Sequence, residues 1–171
     1  MMQRKEWDVI VRQTAYAVTS LLLLLLLRSI LLARLNVWGI MPFLPPILPA
    51  VIASMEDRLE GFAFALAFGV CCDLALTAPL PCLYTLAFPL AALLASVLSR
   101  SVLQPGFLCS LAVSAAAFVI VDLITALALL AGGHAGLDAI ALRAVREMAV
   151  SLPLLAVCHP LLAWLHRRFT L

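Results

Sequence analysis

Three ionisable residues stand inside otherwise apolar runs of this sequence: Arg28, Asp73 and Asp122. A charge in hydrocarbon costs a few kcal/mol on insertion scales when left unpaired, so each of them needs a partner. A guanidinium offers a planar fork of donors that suits a carboxylate, and Arg28 is therefore expected to bridge or approach Asp73 and Asp122. Such a triad could serve as a buried clamp, for which pairing alone is sufficient reason. It could also form a polar site for a lipid head group, a small solute or a partner helix.

Other candidate chemistry is sparse. Cys71, Cys72, Cys82, Cys109 and Cys158 are odd in number and lack C-x-x-C spacing, which argues against a disulfide framework or a zinc site and for small packing residues. His159, beside Pro160, reads as a packing histidine rather than a ligand. The sequence carries no G-x-S-x-G elbow, no H-E-x-x-H, no Gly-rich phosphate loop and no paired acidic motif for lipid phosphotransfer. No catalytic residue, metal or cofactor is expected.

The elements that must position these residues follow from composition. The 171 residues are 65% hydrophobic and 12% charged, with a mean hydropathy of +1.16, whereas a soluble domain averages about a quarter charged residues. A soluble fold could not cover that much apolar surface, so an all-α integral membrane protein is expected. The formal charge of +2, with basic residues scattered along the chain, argues against nucleic acid as a partner. Arg4 and Lys5 before an apolar run imitate a secretory signal. The run from Thr14 to Leu32 nevertheless exceeds the roughly 7–15 residues of a signal core, and no A-x-A site follows, so a retained first helix is expected.

Apolar runs bounded by charges or turn residues predict about six transmembrane helices in a single domain, near 12–35, 38–55, 60–77, 82–99, 107–131 and 140–165. Pro42, Pro45, Pro46 and Pro49 make the second irregular at its entry, and Pro89, Pro153 and Pro160 predict milder kinks. One side of this layout holds Arg4, Lys5, Arg12, Arg58, Arg100, Arg167 and Arg168, and the other holds Arg34, Arg143 and Arg146. The positive-inside rule then places both termini in the cytoplasm, with Glu56-Asp57-Arg58-Leu59-Glu60 as a tight cytoplasmic turn. Trp164 to Arg168 reads as an interfacial anchor. On this layout Arg28, Asp73 and Asp122 share one depth in the outer half.

Small residues recur at i+4. Gly61, Ala65 and Gly69 share a face of the third helix with Asp73, and Ala87, Ala91, Ala95 and Ser99 share a face of the fourth. This small-xxx-small pattern lets backbones approach, either against each other within the chain or against a partner helix. Ser110, Ser114, Asp122 and Ala126 likewise share a face of the fifth.

Residues 60–100 read EGFAFALAFGVCCDLALTAPLPCLYTLAFPLAALLASVLSR. A Gly-bearing helix closing on Asp-Leu, a Pro-Leu turn, then Leu-Tyr and a small-residue helix ending in Ser-Arg resembles the rod shape-determining protein family MreD. The length, the six spans, the Pro-bearing second helix and the basic C-terminus are similar too. The sequence departs from the family where Ala67, Val70, Cys71 and Cys72 replace glycines before the aspartate. The resemblance implies a non-enzymatic scaffold in the bacterial inner membrane. Its implied partners are MreC and, through it, the MreB filament, RodA and a class B penicillin-binding protein in lateral peptidoglycan synthesis. Membrane lipid is a further partner. It also implies a compact bundle similar to the substrate-binding subunits of energy-coupling-factor vitamin transporters. Such a subunit is the alternative function, disfavoured by short outer loops poor in hydrogen-bonding side chains. An intramembrane enzyme, the third option, would need a second polar cluster close to Asp73.

Overall fold

The structure, a computed structural model, describes residues 2–34, 42–76, 80–101, 106–132 and 137–170, with the side chains of 9–25, 42–76, 80–100, 106–132, 138 and 140–168. In chain order the helices are α1 (Met2–Arg34), α2 (Ile47–Met55), α3 (Arg58–Ala75), α4 (Leu83–Ser101), α5 (Phe107–Ala131), α6 (Leu137–Ser151) and α7 (Leu155–Thr170). A 3-10 turn over Leu152–Leu154 joins the last two. There is no strand among the described residues. Three stretches, Leu83–Arg100, Phe107–Ala131 and Ile140–Arg168, are long and apolar enough to cross a membrane.

α2 departs from the expected span near 38–55. It begins only at Ile47, and its nine residues rise about 13–14 Å, less than half of a hydrocarbon core of roughly 30 Å. Proline explains the late start. Pro45 and Pro46 lie in a turn closed by Ile47 N–H on the Leu44 carbonyl at 3.0 Å, and Pro49 falls in the first helical turn, where amide donors have no intrahelical acceptor to lose. Residues 38–41 of the expected span lie outside the described residues.

Every residue from Ile47 to Ala53 is buried, and α2 packs against α3, α4, α5 and α7. It is the centre of the bundle, shielded on all sides, as an irregular polar backbone at membrane depth must be. Around it Tyr16, Phe64, Phe68, Phe88, Tyr84 and Phe43 form a continuous run of rings, with successive centroids 5.4–6.3 Å apart. These edge-on and offset contacts are those aromatic quadrupoles favour. The run links the two ends of the bundle, from Tyr16 to Tyr84.

Two glycines set the closest backbone approaches. A Cβ on Gly69 would stand 2.6 Å from the Tyr84 carbonyl oxygen, and one on Gly61 would stand 2.8 Å from the Ala53 Cα. The α3 stripe therefore meets two elements, α4 through Gly69 and α2 through Gly61. Ala65, Ala87, Ala91 and Ala95 are all buried, and Ser99 is half-buried with its hydroxyl facing the Ser96 carbonyl. These small-residue faces are filled by the chain's own packing, which leaves little of them for a partner helix.

Candidate functional site

At the far end of α3, the Asp73 carboxylate reaches across to the start of α4. Oδ1 accepts the Tyr84 N–H at 3.0 Å, and Oδ2 accepts the Thr85 N–H at 2.8 Å together with the Thr85 hydroxyl. Tyr84 and Thr85 are the second and third residues of α4, whose amides have no partner within their own helix. The positive end of the helix dipole adds to the attraction. Cys82, just before α4, has a side chain poorly suited to capping, and Asp73 supplies the cap from the neighbouring helix. Gly69, one turn earlier, makes the approach possible.

Asp73 thus takes its described partners from α4. Arg28 lies within α1, but its side chain is outside the described residues, as is any bridge from it. Asp122, on α5, feels the charges of Arg143 and Glu147 on α6. Arg143 Nε and Glu147 Oε2 are 3.9 Å apart across one helical turn. On the same side of the molecule, the Phe43 N–H donates to the Ser151 hydroxyl at 2.8 Å.

A second assembly at the opposite end joins α1, the α2–α3 turn and α7. Arg12 Nη2 contacts Glu56 Oε2 at 2.8 Å and also bonds Glu60. The Tyr16 hydroxyl donates to Glu56 Oε1 at 2.7 Å. His166 Nδ1 lies 2.9 Å from that hydroxyl and 3.1 Å from the same carboxylate oxygen. Because Tyr16 spends its one proton on Glu56, Nδ1 faces two acceptors and must carry a proton itself. Gln13 adds a long contact, 3.4 Å, from its amide nitrogen to the Glu60 carbonyl.

Glu56 is the hub, with only 2% of its side chain exposed. Burial by itself would raise its pKa. The hydrogen bonds from His166 and Tyr16, the neighbouring Glu60 and the Arg12 charge outweigh burial and bring it down to about 2. The group is a latch by its chemistry: each side chain stabilises the charge or proton of the next. Arg12 Nε is buried without a hydrogen-bond partner among the described residues, as are the hydroxyls of Ser20 and Ser114.

Of the latch residues, the sequence suggested Glu56 and Glu60 as a turn, His166 as part of an anchor and Arg12 as a cytoplasmic-side charge, and it gave Tyr16 no part. The signal of the latch is the four-residue spacing of Arg12 with Tyr16 and of Glu56 with Glu60, two polar pairs beside apolar runs. His159 stacks edge-on against Phe107, with ring centroids 5.6 Å apart. All five cysteines are free. No group of three or more His, Cys, Asp or Glu able to hold a metal occurs among the described residues.

The fold and its two polar assemblies define an all-helical protein of membrane type. No family model, curated protein or solved structure matches the chain.

Proposed function

We propose that the protein is a six-span, non-enzymatic membrane scaffold of the MreD type, acting with MreC in the bacterial inner membrane to support lateral peptidoglycan synthesis. The observation that carries this reading is the use of Asp73. Of the features of segment 60–100 that give the resemblance, Gly69, Asp73 and Tyr84 meet at the α3–α4 contact. Three donors of α4 occupy the carboxylate, so its role is to fix a helical hairpin. A residue spent on architecture suits a scaffold.

Topology supports the same reading. Glu56 meets Tyr16 of α1 and His166 of α7, so the start and the end of the chain lie at one end of the bundle. Six passes are proposed, with α2 counted as one and α6 and α7 together as one. Arg12, Arg58, Arg100, Arg167 and Arg168 gather at this end, which the positive-inside rule assigns to the cytoplasm. The small-residue faces are filled within the chain, so a transmembrane helix of MreC would dock on the outer faces.

Affinity purification of the tagged protein in mild detergent, with mass spectrometry of what accompanies it, tests the proposal. MreC, RodA or a class B penicillin-binding protein is the expected company. Paired ATPase subunits and a bound vitamin would instead make the chain a transporter subunit.

A further inference from the structure

α1 and α3 face each other without filling the space between them. On α1 the facing residues include Val9, Gln13, Ala17 and Leu21, and on α3 they include Ala63 and Ala67; all of them line a groove of about 450 Å³ that also reaches Cys71. The i+4 spacing on both helices makes two long stripes, and Ala17, Ala63 and Ala67, with small side chains, stand among the lining. Arg12 and Tyr16 tie the helices together beside it, through Glu60 and the ring of Phe64. The side toward the membrane is open: Leu21, Ala63, Ala67 and Cys71 are all exposed.

We propose that this groove holds one acyl chain of a membrane phospholipid. Size argues for it. A cavity of about 150 Å³ accommodates benzene, six carbons, so three times that volume suits a chain of roughly 16–18 carbons. Length argues for it as well. From Leu59 to Cys71 the groove follows twelve residues of α3, about 18 Å, close to one leaflet of a hydrocarbon core roughly 30 Å thick. A partner helix, about 10–12 Å wide with side chains, would need a broader channel along the whole core. Polarity fits the same occupant, because the polar lining residues, Gln13, Thr14 and Glu60, lie toward the end where α3 begins. There the chain would meet its glycerol and head group, while the remaining lining is apolar. The inference rests on the membrane placement and holds whichever protein partner the scaffold serves.

Cys71 reports on the groove and Cys82, exposed at the α3–α4 turn, is the internal reference. Full-length protein, delipidated in a maltoside detergent, is alkylated with N-ethylmaleimide with and without added phosphatidylethanolamine, and each cysteine is followed by peptide mass spectrometry. The expected result is at least fivefold slower labelling of Cys71 on lipid addition, with Cys82 unchanged. Native mass spectrometry should find one phospholipid retained per chain, at least tenfold depleted in Ala17→Phe, whose ring fills the groove. Should that variant misfold, Ala63→Leu makes the same test with a smaller change. Equal slowing at both cysteines, or no retained phospholipid, overturns the proposal. So does Cys71 that is protected in native membranes yet labelled freely in phospholipid alone, an outcome that assigns the groove to a protein.

Discussion

Glu56 and His166 are 110 residues apart in sequence and 3.1 Å apart in space. Their contact closes the bundle at the end where the chain both starts and finishes, and Tyr16 and Arg12 join it from α1. No backbone hydrogen bond could make this junction, because α1 and α7 are each satisfied internally. A buried carboxylate shared by Arg12, Tyr16 and His166 is what holds the three segments in register.

Removal of that carboxylate should be costly. Glu56→Ala leaves Arg12 half-buried with Glu60 as its remaining carboxylate among the described residues, and breaking a buried pair from one side typically costs about 3–5 kcal/mol. A loss of about 2–4 kcal/mol is expected, because Arg12 retains some solvent contact. Tyr16→Phe deletes one hydrogen bond to a charged acceptor and should cost about 1.5–3 kcal/mol. Thermal unfolding in detergent measures both. Arg100→Ala serves as the contrast: its pair with Asp57 is exposed on both sides, and less than about 1 kcal/mol should be lost.

Acid should loosen the same junction. The Glu56 pKa falls from an ordinary value of 4.5 to about 2 on folding. A depressed carboxylate contributes stability that is fully present above the unfolded pKa and is lost as pH falls through the folded one. Wild-type melting temperature should therefore decline between about pH 4.5 and pH 2 by more than that of Glu56→Gln, whose uncharged amide has nothing to protonate there. Parallel curves for the two proteins would show that Glu56 is not the linked group.

The hairpin of α3 and α4 should depend on Gly69 more than on its helix propensity. Alanine normally gains about 1 kcal/mol over glycine inside a helix, yet the new methyl would sit 2.6 Å from the Tyr84 carbonyl. Overpacking against backbone costs about 1–3 kcal/mol, so Gly69→Ala should be net destabilising. An increase in melting temperature would contradict the close approach.

Asp73→Ala should unpin the start of α4. Loss of a capping side chain costs about 0.5–2 kcal/mol, and the amides of Tyr84 and Thr85 should exchange with deuterium at least tenfold faster while those in the middle of α5 are unchanged. Asp73→Asn keeps one carbonyl acceptor and should fall between the two. Full protection in Asp73→Ala would mean that the cap is dispensable.

Cys82 precedes α4 with φ near 61°, in the left-handed region where a Cβ is crowded by about 1–2 kcal/mol. Cys82→Gly relieves this at the cost of a more flexible unfolded chain, and a gain of up to about 1 kcal/mol is expected. Its melting temperature should rise or hold, and a clear drop would place the Cys82 side chain in a role beyond the turn.

Much of the helical character was legible in the amino-acid order. Apolar run length sets which stretches are long enough to cross a membrane, and the prolines at 42, 45, 46 and 49 mark the entry of the second helix as irregular, although where that helix begins was decided only by the structure. The i+4 spacing of Gly61, Ala65 and Gly69 marks a face that tolerates close backbone contact. These properties are local, since they depend on a residue and its neighbours within two turns. Partners are not local. Helical periodicity says that Asp73 shares a face with Gly69, but not that the donors meeting that face are backbone amides of α4. It says that Arg12 and Tyr16 share a face, but not that Glu56 and His166 lie opposite. Only tertiary packing around the buried α2 decides these pairings. A charge in a dry interior settles with whichever donor the fold brings within about 3 Å, and that distance is set by the docking of whole helices rather than by spacing along any one of them.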